Sequence, residues 1–108
     1  MIYTGKGWYP DSPKADEDKI TQAIIRNNGK EIVIDYEYHN KRLFIELTSS
    51  DGVDFEGKYG EFGKKVGSCS FTLWKNKRGY FLFGGYTDPE GGNGSWCMQL
   101  EPKVEKVV

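Results

Sequence analysis

Apolar and polar residues alternate one for one through most of this chain. In "EIVIDYEY" (31–38), Ile32, Ile34, Tyr36 and Tyr38 share one side, and Glu31, Val33, Asp35 and Glu37 the other. Over 42–49, Leu43, Ile45 and Leu47 alternate with Arg42, Phe44, Glu46 and Thr48. Val53, Phe55, Gly57 and Tyr59 continue the pattern against Asp54, Glu56 and Lys58, and so do Trp96, Met98 and Leu100 against Ser95, Cys97 and Gln99. A period of two with one apolar side describes a strand with one buried face. Between these runs lie "YPDSPKADED", "RNNGK", "HNK", "SSDG", "FGKKVG", "KNKRG" and "DPEGGNG", each rich in turn-forming residues. The spacing predicts eight consecutive antiparallel strands, at about 2–9, 19–26, 31–38, 42–49, 53–60, 67–75, 79–87 and 94–101.

The second segment supports two assignments. "SPKADEDKITQAIIRNNG" offers Ser12 as an N-cap, Pro13 at the first helical position, a stripe of Ile20, Ala23 and Ile24, and Gly29 as a stop. That alternative is an α+β fold, with a helix at about 13–28 packed on a seven-stranded sheet. The β-branched pair Ile24–Ile25 and the hairpin turn "RNNGK" favour a strand. The preferred expectation is therefore an all-β, up-and-down meander that closes into a small barrel, since closure removes both unpaired edges.

Closing so small a barrel requires strong coiling, and mid-strand glycines relax the backbone where it bends. Gly57/Tyr59, Gly84/Tyr86 and Gly94/Trp96 pair a glycine with an aromatic ring two residues on, the ring being expected to cover the bare backbone. With these motifs in view, "DFEGKY" and "YFLFGGY" resemble strand ends of avidin-type barrels, and "TGKGW" is similar to the first strand of lipocalin-type barrels. The resemblance implies a calycin-like eight-stranded barrel over the whole chain. The first strand reads "GKGW" rather than the strict lipocalin Gly-x-Trp, and no family ligand transfers residue by residue.

The chain of 108 residues fits one domain, 1–108. Fifteen Lys and Arg against sixteen Asp and Glu leave a net charge of −1, which provides no field for nucleic acid or an anionic membrane. No apolar run approaches the roughly 18 residues of a membrane span. The opening "MIYTGKGW" has neither the basic start nor the apolar core of a signal peptide, so a cytoplasmic location is expected. Cys69 and Cys97 fall on strands separated by a third, roughly 9–10 Å apart, too far for a disulfide. Free, packed thiols are expected.

Little in the sequence suggests catalysis. His39, the one histidine, sits in a turn, and with two separated cysteines it cannot build a conventional zinc site. Asp16, Glu17 and Asp18 read as an exposed acidic run, and "PEGGNGSW" lacks the ending of a phosphate-binding loop. No enzyme, cofactor or metal is expected. A barrel of eight strands is either filled by side chains or holds one small molecule. The main expectation is a binding module for a small apolar ligand, with Trp8, Tyr36, Tyr38, Tyr59, Tyr86 and Trp96 lining the mouth. The alternative is a protein-interaction or homodimerising scaffold. If Phe71, Leu73, Phe81 and Phe83 point inward, Trp74, Tyr80 and Leu82 form an outward aromatic patch.

Overall fold

The computed structural model describes residues 1–12 and 16–104. Eight strands follow one another: β1 (Ile2–Trp8), β2 (Glu17–Arg26), β3 (Glu31–Tyr38), β4 (Lys41–Thr48), β5 (Asp54–Gly60), β6 (Gly67–Asn76), β7 (Gly79–Thr87) and β8 (Asn93–Pro102). Each pairs antiparallel with its neighbours in sequence, and β1 also pairs with β8 from Tyr3↔Pro102 to Trp8↔Cys97, closing the barrel. The meander expected from the alternation is therefore the fold. No helix occurs among the described residues, so none of them is a helix long and apolar enough to cross a membrane.

The helical alternative for 13–28 fails, and its residues 13–15 lie outside the described range. Its stripe has a different origin. The β2–β3 register shifts between Ile20 and Gln22, a β-bulge that resets the alternation. Ile20 and Ala23, three residues apart, consequently both face the interior, 2% and 0% exposed. A strand with one extra residue imitates a helical spacing.

One end of the interior is packed with aliphatic side chains. Ile20, Ile32, Ile34, Ile45, Leu47, Met98 and Leu100 are all at most 2% exposed. The Tyr3–Tyr80 pair packs on that end and most of the other rings gather at the opposite one, so the barrel is filled along its length by its own side chains.

The faces of β7 are opposite to expectation. Leu82 is fully buried and Tyr80 packs on the core, edge-on to Tyr3 at 5.5 Å, whereas Phe83 is 49% exposed. Tyr80 and Leu82 thus point inward, Phe81 and Phe83 outward, and only Trp74 of the expected patch, 58% exposed, faces out. The cause is register. Phe71↔Gly84 and Gly84↔Trp96 put the residue without a side chain between two large inward rings, whose centroids lie 5.5 Å apart. Moving β7 by one residue would invert every side chain it carries.

The glycines act across strands rather than along them. The Tyr59 ring lies over its cross-strand partner Gly67, and the Tyr86 ring over Gly94. Gly57 and Gly84 are needed for another reason: a Cβ at either would be driven into the carbonyl oxygen of the adjacent strand, that of Glu46 or of Ser70.

Candidate functional site

The loops β1–β2, β3–β4, β5–β6 and β7–β8 share one end of the barrel, and the rings gather there. Trp96, on β8, is their centre and is 1% exposed. Tyr9 stacks on it at 5.7 Å and 21°. Tyr36, Tyr59 and Tyr86 meet it edge-on at 5.7, 5.1 and 5.7 Å. Above this floor Tyr38, Tyr9, Tyr86 and Tyr59 form a continuous half-buried chain, with successive centroids 5.7, 5.8 and 6.0 Å apart. Their edge-to-face packing is the favoured aromatic geometry, so each ring fixes the next.

Beneath the rings lies a buried carboxylate. Asp18, 1% exposed, accepts a hydrogen bond from Trp96 Nε1 at Oδ2 and one from the Tyr9 hydroxyl at Oδ1, each 2.8 Å long. Gly7 leaves room for it, since a Cβ there would lie 2.7 Å from Oδ2. Burial pushes the Asp18 carboxyl above its ordinary value; the two donors pull it down less strongly, and nearby Asp16 pushes it up. The Tyr9 hydroxyl is raised far above the usual tyrosine range by burial and then by Asp18, so it remains a donor. Tyr59 is pushed up to about 12, first by burial and then by Asp88. Among the described residues no buried side-chain nitrogen or oxygen lacks a partner.

At the rim, the Tyr38 hydroxyl donates to Asp16 Oδ2 at 3.4 Å. His39 Nε2 lies 3.6 Å from Asp16 Oδ1, and its ring meets Tyr38 edge-on at 4.2 Å. The Ser95 backbone N–H donates to Asp11 Oδ2 at 2.8 Å, tying the β1–β2 loop to the start of β8.

Of the residues expected at the mouth, Tyr36, Tyr38, Tyr59, Tyr86 and Trp96 come together. Trp8 does not join them. It sits opposite Cys97, on the outer wall, and packs against Phe81 at 5.9 Å. Tyr9 takes the inward position instead, in phase with Tyr3, Gly5 and Gly7; that phase was the available signal for it. Asp18 had no such signal, because in "ADEDK" nothing separates a buried acid from exposed ones. On the outer wall Trp8, Phe81, Phe83 and Trp74 form the aromatic surface in place of the Trp74, Tyr80 and Leu82 combination.

Both cysteines are free and buried. Burial pushes the Cys69 thiol up to about 12, which makes it an inert packing group. No set of three or more metal-ligating side chains occurs among the described residues. What the end of the barrel offers is a rigid apolar surface carrying hydroxyls. Comparison with protein-family models, characterised proteins and solved structures gave no match.

Proposed function

We propose that this protein is a non-enzymatic, calycin-like binding module that holds a small apolar molecule at the barrel mouth, on the rings of Tyr38, Tyr59 and Tyr86. The filled interior argues for the mouth rather than a deep cavity. The observation that carries the reading is Asp18. Burying a carboxylate costs free energy unless its oxygens are well hydrogen-bonded, and an apolar residue would fill the same volume more cheaply. Here both oxygens hold aromatic donors, fixing Trp96 and Tyr9 and through them the half-buried rings of the mouth. A surface rigid before binding loses little conformational entropy when a ligand arrives. Apolar rings would supply the contact area and tyrosine hydroxyls the orientation, with neither cofactor nor metal. The free buried thiols fit a reducing compartment, and a cytoplasmic location belongs to this proposal.

Titration with the neutral apolar dye N-phenylnaphthylamine tests the proposal. The Tyr59→Ala/Tyr86→Ala variant removes two ring contacts of about 0.5–1.5 kcal/mol each, besides their area, and should weaken binding on the order of 10- to 100-fold. Trp74→Lys, on the outer wall, should leave it unchanged. No dye binding, or binding lost with Trp74→Lys and retained in the tyrosine variant, would contradict the proposal.

A further inference from the structure

The rings of the mouth stand close to right angles: Tyr38 and Tyr86 meet Tyr9 at 74° and 83°, and Tyr59 meets Tyr86 at 83°. Such corners let one bound group touch more than one ring. Two of the hydroxyls already donate to carboxylates, Tyr9 to Asp18 and Tyr38 to Asp16. A phenol that donates to an anion carries a more electron-rich ring, and the face of an electron-rich ring attracts a cation.

Carboxylates continue around the rim. Asp88, half-buried, follows Tyr86 by two residues, and its Oδ1 accepts the N–H groups of Glu90 and Gly92, which holds the loop in place. After burial, Asp88 and more weakly Glu90 push the Tyr59 hydroxyl up, so both charges are felt at that ring. Asp11, held by the Ser95 N–H, shares a groove with Tyr86. The cations of this end are placed differently. Lys41 and Lys64 both lie against Glu61, at 3.6 and 2.8 Å, and His39 lies against Asp16. Lys65, exposed, is the remaining described lysine of the four loops. No described Lys, Arg or His lies within ion-pair distance of Asp11, Asp88 or Glu90.

We infer that the molecule held at this mouth is a small organic cation, a quaternary or protonated amine with apolar substituents. The inference rests on the mouth being the binding site, as proposed above. Apolar substituents would lie on the Tyr59 and Tyr86 rings, with the positive charge between those rings and the carboxylates of Asp88 and Glu90. A neutral molecule of the same shape would gain the ring contacts and leave the field of the rim unused. An anion would be repelled.

Phenyltrimethylammonium and tert-butylbenzene share one shape and differ by one charge. Each is titrated into the whole chain at low salt while the Trp96 indole N–H signal is followed, with N-phenylnaphthylamine as the neutral reference for the mouth. The cation is expected to bind on the order of 10-fold more tightly than its neutral counterpart. That preference should shrink towards parity in Asp88→Asn/Glu90→Gln, which keeps an acceptor oxygen at position 88 and whose folding is checked by thermal melting. It should shrink likewise at about 1 M salt, where charges are screened beyond about 3 Å. If tert-butylbenzene binds at least as tightly as the cation, or the double variant leaves the preference intact, the inference is overturned and the apolar mouth stands. If neither compound nor the dye moves the Trp96 signal, the mouth is not the site and both readings fail.

Discussion

Trp96→Ala is expected to remove about 3–5 kcal/mol of folding stability, the usual cost of deleting a large buried ring. Domains of this size hold only about 5–15 kcal/mol in total, so the variant should be close to unfolding. The loss should also depend on pH. Asp18 titrates above the ordinary aspartate value of 3.8 in the folded barrel, so its contribution is complete at low pH and is lost as pH rises through the folded value. The Trp96 N–H pulls that value down. Without it the folded carboxyl titrates higher still, so the deficit of the variant should be constant at low pH and widen as pH rises through the parent's raised folded value. Trp96→Phe keeps most of the ring and drops the N–H, so it should show the pH-dependent part with little of the rest. Urea denaturation of the three proteins at several pH values checks this; a deficit for Trp96→Phe that is flat with pH would mean that the indole–Asp18 bond contributes nothing.

Gly84→Ala should be nearly as damaging as Gly84→Val. The first carbon added at this position is driven into the Ser70 carbonyl oxygen, which is backbone and cannot rotate aside. Relief requires β6 and β7 to separate, at a cost of about 3 kcal/mol or more, at the upper end of overpacking effects. The two further methyl groups of valine add little once the ladder has opened. Denaturant midpoints that fall together for the two variants support the close approach; an alanine variant within about 0.5 kcal/mol of the parent would rule it out.

These expectations also show which features were legible in the chain. β3 and β4 alternate with turn clusters on both sides and β8 alternates after the cluster "DPEGGNG", so their inward faces and the meander could be read directly. β7 could not be read that way. Tyr80, Phe81, Leu82 and Phe83 are all apolar or aromatic, and Gly84 and Gly85 have no side chain, so nothing local marks the inner face. The choice is made by contacts distant in sequence, where Gly84 fits between Phe71 and Trp96. The glycine and tyrosine spacing within strands suggested a covering relation that is in fact cross-strand, Tyr59 over Gly67 and Tyr86 over Gly94.

The candidate site was legible to the same degree. Tyr36, Tyr38, Tyr59 and Trp96 lie in phase with inward neighbours and could be gathered from alternation alone, whereas Tyr86 is on β7, where an inner phase of Phe81 and Phe83 would have turned it outward. Trp8 lies on the outer wall rather than at the mouth, since Gly5, Gly7 and Tyr9 define the inner phase of that strand. Asp18 joins Trp96 across 78 positions of sequence, and no local pattern encodes such a bond.

The proposed mouth and the outer wall can be separated in one experiment, because the three tryptophans divide between them: Trp96 under the mouth, Trp8 and Trp74 outside. Their indole N–H signals in a proton–nitrogen correlation spectrum, followed while N-phenylnaphthylamine is added, report where it binds. If the mouth is the site, the Trp96 signal moves and saturates while those of Trp8 and Trp74 stay in place. Movement of Trp8 and Trp74 with Trp96 unchanged would contradict the account.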